Sequence, residues 1–245
     1  MSILKKKSFR IFAVLVAVIL LALGACAIYL GNYYPADAQA LAALEDTQAV
    51  TCEEWADGTL AFLPENANTG LIFYPGGKVE HTAYVPLMQV LAAHGVLCVL
   101  IEMPFRLAVL DVNAADGVQE KYPQIEHWYI GGHSLGGSMA ASYLESHAAD
   151  FDGLVLLASY STADLRECGL SVLSVFGSED GVLNREKYDT YRKNLPTNTR
   201  EVVLEGGNHA NFGAYGTQKG DGKASMPPAE QIARTAQEMA ALFGA

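Results

Sequence analysis

Short apolar stretches alternate with helical patterns along most of this 245-residue chain. Four of these stretches have the length of buried β-strands: GLIFY (70–74), VLCVLIEMP (96–104), GLVLLAS (153–159) and LSVLSVFG (170–177). Helical patterns between and after them include YVPLMQVLAAHG (84–95) and PPAEQIARTAQEMAALF (227–243). Strands that are apolar on both faces need helices above and below them. The alternation therefore predicts one α/β domain, with a mostly parallel sheet covered by helices on both faces.

Two local patterns refine this prediction. Asp57-Gly58 separates two strand-like stretches, AVTCEEW (49–55) and TLAFLP (59–64), which is typical of a β-hairpin. Residues 113–122 are predicted to form a helix. The ten residues 160–169 that separate two of the buried strands are too few for a helical lid, so any site at that end of the sheet is predicted to be open.

Residues 11–30 form a run of twenty residues without a charge. As a helix this run is about 30 Å long, which matches the hydrocarbon core of a bilayer. Four basic residues lie in KKKSFR (5–10), and no Lys or Arg follows the run until Lys78. By the positive-inside rule, the pattern predicts an uncleaved signal anchor in the cell membrane, with the rest of the chain on the extracytoplasmic face.

Two alternatives stay open for this run, and both leave the rest of the chain outside the cytoplasm. Small residues around Gly24-Ala25 are typical of a signal-peptide cleavage site, and LGAC resembles a lipidation motif with Cys26 as the modified residue. The predicted organisation is a basic cytoplasmic segment (1–10), a transmembrane signal anchor (11–30), a juxtamembrane spacer with a short helix (31–46) and the α/β domain (47–245).

The charge of the chain excludes one class of partner. Beyond the apolar run there are 12 basic and 27 acidic residues, a net charge of −15. Such a surface repels nucleic acid. Cys98 is predicted to be a buried thiol, and a Cys52–Cys168 disulfide is left open. No CxxC or Cys/His cluster is present, so no metal or cofactor is predicted, and the oligomeric state stays open.

Ser134 stands between two pairs of glycines in GGHSLGG (131–137), where a strand pattern changes to a helical one. Gly132 and Gly136 match the pattern G-x-S-x-G around this serine. A sharp strand-to-helix turn leaves no room for side chains at the flanking positions, and it lifts the serine hydroxyl clear of the sheet. The turn also brings the N–H of Leu135 to a helix N-terminus, which favours a negative oxygen. Ser134 is therefore a candidate nucleophile, although a helix cap is the structural alternative.

A serine nucleophile needs a base, and His209 is the candidate because it follows a strand and two glycines in VVLEGGNH (202–209). Asp180 directly follows another buried strand and is the candidate acid for orienting the imidazole. Open α/β sheets place their sites at the carboxyl ends of strands. Glu179 and Asp164 stay open as alternative acids.

From Thr59 to Leu242 the chain resembles the α/β-hydrolase superfamily, and more narrowly its compact, lid-free bacterial members near the dienelactone hydrolases. The stretches that carry the likeness are LIFYPGGKVE, IGGHSLGGSMAA, GLVLLASY, VFGSEDG and EGGNHANFG. The resemblance implies Ser134 as nucleophile, His209 as general base and then acid, and Asp180 as its orienter. Dienelactone hydrolases use a cysteine where this chain has Ser134, so their substrate does not carry over.

The resemblance also implies an oxyanion hole. One donor is the Leu135 N–H, and the second lies in the loop after an early strand. Here that loop reads Pro75-Gly76-Gly77-Lys78, without the usual His-Gly pair, so the Gly77 N–H is the first choice and Lys78 the second. Candidate substrate-contacting or pocket-wall residues are His133, Arg106, Phe105, Leu107, Phe212 and Tyr215.

The predicted function is hydrolysis of carboxylic esters with small or exposed acyl groups through an acyl-enzyme. Acyl transfer to an alcohol by the same residues is an alternative, and a non-catalytic binding protein on the same fold is another. The expected partners are a small-molecule ester and, through residues 11–30, the membrane.

Overall fold

The computed structural model describes residues 2–45 and 50–245. Met1 of the predicted basic segment, and residues 46–49 at the predicted border of spacer and domain, lie outside the described residues. The chain divides into two compact units, Met1–Tyr33 and Tyr34–Ala245. The first holds helix α1 (Ser2–Gly31). Its segment Phe12–Gly31 is long and apolar enough to cross a membrane, a property that signal sequences share.

The second unit is built on one eight-stranded sheet. The strands are β1 (Thr51–Glu54), β2 (Leu60–Leu63), β3 (Thr69–Tyr74), β4 (Val96–Leu100), β5 (His127–His133), β6 (Gly153–Leu157), β7 (Ser171–Gly177) and β8 (Arg200–Leu204). Their order across the sheet is β1-β2-β4-β3-β5-β6-β7-β8. β1 and β2 pair antiparallel, as the hairpin signal at Asp57-Gly58 predicts, and β2 is antiparallel to β4. All pairs from β4 to β8 are parallel.

Helices cover both faces of this sheet, as the sequence predicts. They are α2 (Ala38–Glu45), α3 (Val85–Ala93), α4 (Val118–Lys121), α5 (Leu135–His147), α6 (Arg185–Tyr191) and α7 (Pro228–Phe243). Successive side chains of a strand point to opposite faces, so Leu71 and Phe73 of β3 join a core with α3 and α7. Ile72 and Tyr74 join a second core with α5.

Two boundaries differ from the sequence predictions. Residues 34–45, predicted as part of a spacer, belong to the compact unit: Ala40 is fully buried, and the side-chain amide of Gln89 donates to the Ala43 carbonyl. The helix predicted over 113–122 is reduced to the single turn α4, because Gly117 before it adopts a left-handed backbone with φ 74°. The four cysteines are free thiols, with Cys98 buried as predicted.

Parallel strands bring their carboxyl ends to one edge of the sheet. The loops that follow β3, β5, β7 and β8 therefore meet there, and they carry Gly77, Ser134, Asp180 and His209. Residues 158–170 between β6 and β7 are all described and contain no helix, so the predicted absence of a helical lid at this position is confirmed.

Candidate active site

Ser134 occupies a strained turn between β5 and α5. Its backbone angles are φ 52° and ψ −119°, a region that costs a non-glycine residue about 1–3 kcal/mol. The glycines on either side permit the turn. A Cβ at Gly132 would lie 2.5 Å from the Tyr74 carbonyl oxygen, and a Cβ at Gly136 would overlap the same atom. The glycines therefore allow the turn to pack against β3. Within this turn, the strained backbone angles are those of Ser134, the residue that carries the hydroxyl.

Neighbouring strands hold the serine in place. The Ser134 N–H donates to the Leu157 carbonyl at 2.8 Å. The Ser134 carbonyl accepts from the Ser159 hydroxyl at 2.7 Å, and Ser159 Oγ lies 3.1 Å from Ser138 Oγ. Ser159 is the second residue after β6, and its contact with Ser134 was not predicted from the sequence. Its place as the one hydroxyl in the apolar stretch GLVLLAS (153–159) was the available signal.

His209 and Asp180 form a buried pair. His209 Nδ1 lies 2.9 Å from Asp180 Oδ2, and each side chain is 1% exposed. The other carboxylate oxygen, Oδ1, accepts the N–H groups of Val182 and Leu183 at 2.9 and 2.8 Å. A carboxylate can only accept from the imidazole, so Nδ1 carries the proton and neutral His209 has Nε2 free to accept one. Nε2 is buried and has no hydrogen-bond partner among the described residues.

The carboxyl of Asp180 is kept ionised by its contacts. Burial acts to raise its pKa, but the hydrogen bond and charge of His209 and the two backbone N–H donors outweigh burial and lower the pKa below its usual value. The other candidate acids do not hydrogen-bond to His209. Asp164 is exposed and pairs with Arg166 at 2.5 Å, and Glu179 is exposed beside Ser178.

Ser134 and His209 line one cavity of about 240 Å³. Its other lining residues are Leu135, Ser138, Ala158, Ser159, Tyr160, Val182, Leu183 and Asn184. The wall thus combines aliphatic side chains with a few hydroxyl and amide groups, which suits an acyl group next to a reacting carbonyl.

Two backbone N–H groups are available beside the serine. Leu135 is the first residue of α5, so its N–H has no partner within the helix. A Cβ at Gly77 would lie 2.9 Å from the Leu135 side chain, so the two residues are adjacent. The Lys78 N–H donates to the Arg106 carbonyl at 2.8 Å, whereas the Gly77 N–H makes no hydrogen bond to the described residues. Of the two predicted candidates, Gly77 has the uncommitted donor.

His133 does not line the cavity. Side chains alternate along β5, so His133 points to the same face as Tyr129 and is 1% exposed. Gly76 N–H donates to Tyr84 Oη at 3.0 Å, so the hydroxyl proton of Tyr84 is directed to His133 Nδ1 at 2.7 Å. Burial, and then the neighbouring His209, lower the pKa of His133 well below its usual value. His133 is therefore a neutral buried group between the Gly76 loop and His209.

This burial predicts a pH-dependent stability. Above about pH 6.5 the imidazole of His133 is neutral in the folded and unfolded chain alike; below it, the unfolded chain binds a proton that the folded chain does not. The free energy of unfolding should therefore fall as pH decreases from 7 to 5, by up to about 1.4 kcal/mol per pH unit from this group. His133→Gln should reduce that slope, as measured by urea unfolding of the purified chains. Equal slopes in the two proteins would contradict a neutral buried His133.

The other predicted pocket residues lie apart from the cavity. Phe212 is fully buried against His133, with ring centroids 5.6 Å apart, and Tyr215 is buried beside Tyr84. Neither is brought into contact with the cavity. Phe105 is 62% exposed on a loop after β4 and lines a different cavity, and its neighbour Arg106 contributes its carbonyl to the Lys78 contact.

Two residues at the site have roles that sequence reasoning missed. Tyr84 links the Gly76 loop to His133, as described above, and Asp221 accepts hydrogen bonds from the His209 and Ala210 N–H groups. Asp221 lies in a glycine-rich stretch that the sequence marks only as a loop. The flanking Gly220 and Gly222 were the available signal, since they indicate a tight turn that brings a carboxylate close to the backbone.

Known structures share this fold. The chain is similar to a dienelactone hydrolase from Anabaena variabilis at 15% identity, with 80% of this chain and 98% of that chain covered and a TM-score of 0.61. It is similar to TT1662 from Thermus thermophilus at 15% identity, with 80% and 99% covered and a TM-score of 0.59. It is also similar to the naproxen esterase of Bacillus subtilis at 13% identity, with 84% and 94% covered and a TM-score of 0.59.

At these identities the solved structures show the fold, and no curated protein matches the chain. The model of the alpha/beta hydrolase family matches residues 70–233, which is more than half of the chain and includes Ser134, Asp180 and His209. The chain therefore belongs to the alpha/beta hydrolase family.

Proposed function

We propose that the chain is a membrane-anchored serine hydrolase that cleaves carboxylic esters with small or exposed acyl groups. The observation that carries this proposal is the arrangement at one cavity: a serine in a strained turn faces it together with a histidine whose Nδ1 is bound to a buried aspartate. Histidine oriented in this way accepts a proton at Nε2, which is what a serine nucleophile requires.

The reaction proceeds through an acyl-enzyme. Ser134 Oγ attacks the ester carbonyl carbon while its proton passes to His209 Nε2, and the resulting oxyanion is bound by the N–H groups of Leu135 and Gly77. Collapse of this intermediate expels the alcohol, which takes the proton from His209. Water then attacks the acyl-enzyme, giving a proton to His209, and the second tetrahedral intermediate releases the acid and returns the proton to Ser134. Asp180 keeps the Nδ1 proton in place throughout and stabilises the imidazolium.

The cavity supports a small acyl group. Its volume of about 240 Å³ is below the range of roughly 300–1,000 Å³ that is typical of sites for drug-sized ligands. The connection between β6 and β7 contains no helix that could cover the site, so the alcohol portion of the substrate can extend into solvent. The naproxen esterase among the similar structures also supports an ester bond as the target.

Residues 11–30 are proposed to anchor the domain at the cell membrane, with the N-terminus in the cytoplasm and the hydrolase domain outside. The length and composition of the helical segment Phe12–Gly31, together with the basic residues at 5–10, support this proposal.

Labelling with a fluorophosphonate, together with a panel of esters, tests the proposed serine hydrolase activity and the proposed orientation in the membrane. The purified full-length chain in detergent should be labelled at Ser134, and kcat/KM for p-nitrophenyl esters should be highest for acetyl to butyryl groups and fall at least about tenfold by octanoyl. On sealed right-side-out vesicles, a charged probe that does not cross membranes should label the chain without detergent. Absence of labelling in detergent would indicate a non-catalytic protein, and ester products formed with added alcohols would indicate acyl transfer.

A further inference from the structure

The turn Gly220–Gly222 lies between the loop that carries Asp180 and the loop that carries His209. Its central residue, Asp221, is half-buried, and its carboxylate converges on backbone N–H groups. Oδ1 accepts from Gly181 at 3.1 Å, from His209 at 3.2 Å and from Gly222 at 2.8 Å, and Oδ2 accepts from Ala210 at 2.8 Å.

Apart from Gly222, which is the next residue along the chain, these donors belong to two different loops. Gly181 directly follows Asp180, while His209 and Ala210 belong to the loop after β8. One carboxylate therefore bonds to the backbone next to the acid and to the backbone of the base. Hydrogen bonds to a charged acceptor are about twice as strong as bonds between neutral groups, so this bridge is a stiff link between the two loops.

Backbone packing shows that this turn is fitted to the acid loop. A Cβ at Gly222 would overlap the Glu179 carbonyl oxygen, and a Cβ at Gly181 would lie 2.5 Å from the Gly220 carbonyl oxygen. The loop that carries Asp180 and the turn at 220–222 therefore touch backbone to backbone at these two points. The bridge from Asp221 thus acts over a contact that has little freedom to adjust.

We infer that Asp221 is a positioning residue of the catalytic centre, which fixes the separation of Asp180 and His209 by holding both of their loops. This inference rests on the proposed function only in its prediction for kcat, since that prediction requires the protein to hydrolyse an ester. The His209 Nδ1–Asp180 Oδ2 hydrogen bond depends on Asp221 whether or not the protein turns over an ester.

Asp221→Asn is the direct test. An amide has one acceptor oxygen, and the three donors at the Oδ1 position hold it there, so the amide nitrogen faces the Ala210 N–H and repels it. We expect kcat for a short p-nitrophenyl ester to fall about 10- to 100-fold, since displacements of about 1 Å cost this much, while KM stays within about threefold. The far-downfield proton NMR resonance of His209 Nδ1–H should shift or disappear. Asp221→Glu, which keeps the charge, should recover part of kcat.

The matched control is Asp152→Asn. Asp152 Oδ2 also accepts a backbone N–H, from Trp128 at 3.0 Å, but at the opposite edge of the sheet, so kcat and the resonance should stay unchanged. Wild-type kcat and an unchanged resonance in folded Asp221→Asn would overturn the inference. So would a partly folded Asp221→Asn whose activity per folded molecule equals that of the wild type. If Asp221→Asn does not fold, Asp221→Glu decides in the same way, since a positioning role requires its kcat to fall at unchanged KM.

Failure of the proposed function looks different. In that case the wild-type chain is not labelled by a fluorophosphonate, yet the His209 resonance still responds to Asp221→Asn.

Discussion

Replacement of Ser134 by alanine is expected to lower kcat for p-nitrophenyl acetate about 10⁶-fold, because in the proposed mechanism the substitution removes the oxygen that forms the acyl-enzyme. A residual rate over water is expected from the proposed oxyanion donors, the N–H groups of Leu135 and Gly77, and from substrate binding, which the substitution leaves in place. Fluorophosphonate labelling should disappear completely. The measurement is steady-state release of p-nitrophenol by the purified chain in detergent, together with intact-protein mass after labelling.

The control for this prediction is Ser142→Ala. Ser142 lies on α5, the helix that Ser134 precedes, and its hydroxyl donates only to the Ser138 carbonyl at 3.1 Å. Its loss should leave kcat within about twofold. The thermal midpoint of Ser134→Ala should equal that of the wild type within a few degrees, since alanine occupies the same strained turn without new contacts. An active Ser134→Ala protein would exclude this serine as the nucleophile and would leave the turn between β5 and α5 with a structural role alone.

The parts of this site that the sequence predicts are those decided by local sterics and by strand direction. Gly132 and Gly136 are needed where a strand turns this sharply into a helix, so the motif itself predicts the turn at Ser134. His209 and Asp180 are found because both follow parallel strands, and such strands end at one edge of the sheet. Neither inference needs knowledge of how the loops pack.

The parts that the sequence does not predict depend on contacts between distant loops or on which face a side chain takes. His133, next to the candidate nucleophile Ser134, was predicted to contact substrate, but the alternation of side chains along β5 places it in the core beside Tyr84. Asp221 bonds to Gly181 and His209, which lie 40 and 12 residues away along the chain, and no periodicity encodes that meeting. The helix predicted over 113–122 is a separate case with a local cause, because Gly117 in the middle of that range adopts a left-handed backbone.

Asp180→Asn is expected to lower kcat about 10⁴-fold while the site keeps its shape. The N–H groups of Val182 and Leu183 hold the Oδ1 position, so the amide oxygen of asparagine stays there and the amide nitrogen faces His209 Nδ1. Two donors cannot face each other, so His209 places its proton on Nε2 and accepts at Nδ1. In that tautomer the imidazole cannot take the proton of Ser134, and the loss is of the size known for a wrong tautomer in serine proteases. Steady-state kinetics on the ester panel measure it.

Stability gives a second readout with a defined sign. The folded-state pKa of Asp180 is lowered, so its contribution to the free energy of unfolding is complete above the unfolded value of about 3.9 and is lost as pH falls through the folded value. The difference in stability between wild type and Asp180→Asn should therefore be constant from pH 7 to about 5 and shrink below pH 4.

Asp164→Asn provides the matched comparison, because Asp164 was an alternative candidate acid and lies exposed against Arg166. Its kcat should stay within about twofold of wild type. A large loss in Asp164→Asn with little change in Asp180→Asn would reassign the acid. Little change in both would mean that His209 keeps its productive tautomer without a carboxylate, and would contradict the orienting role proposed for Asp180.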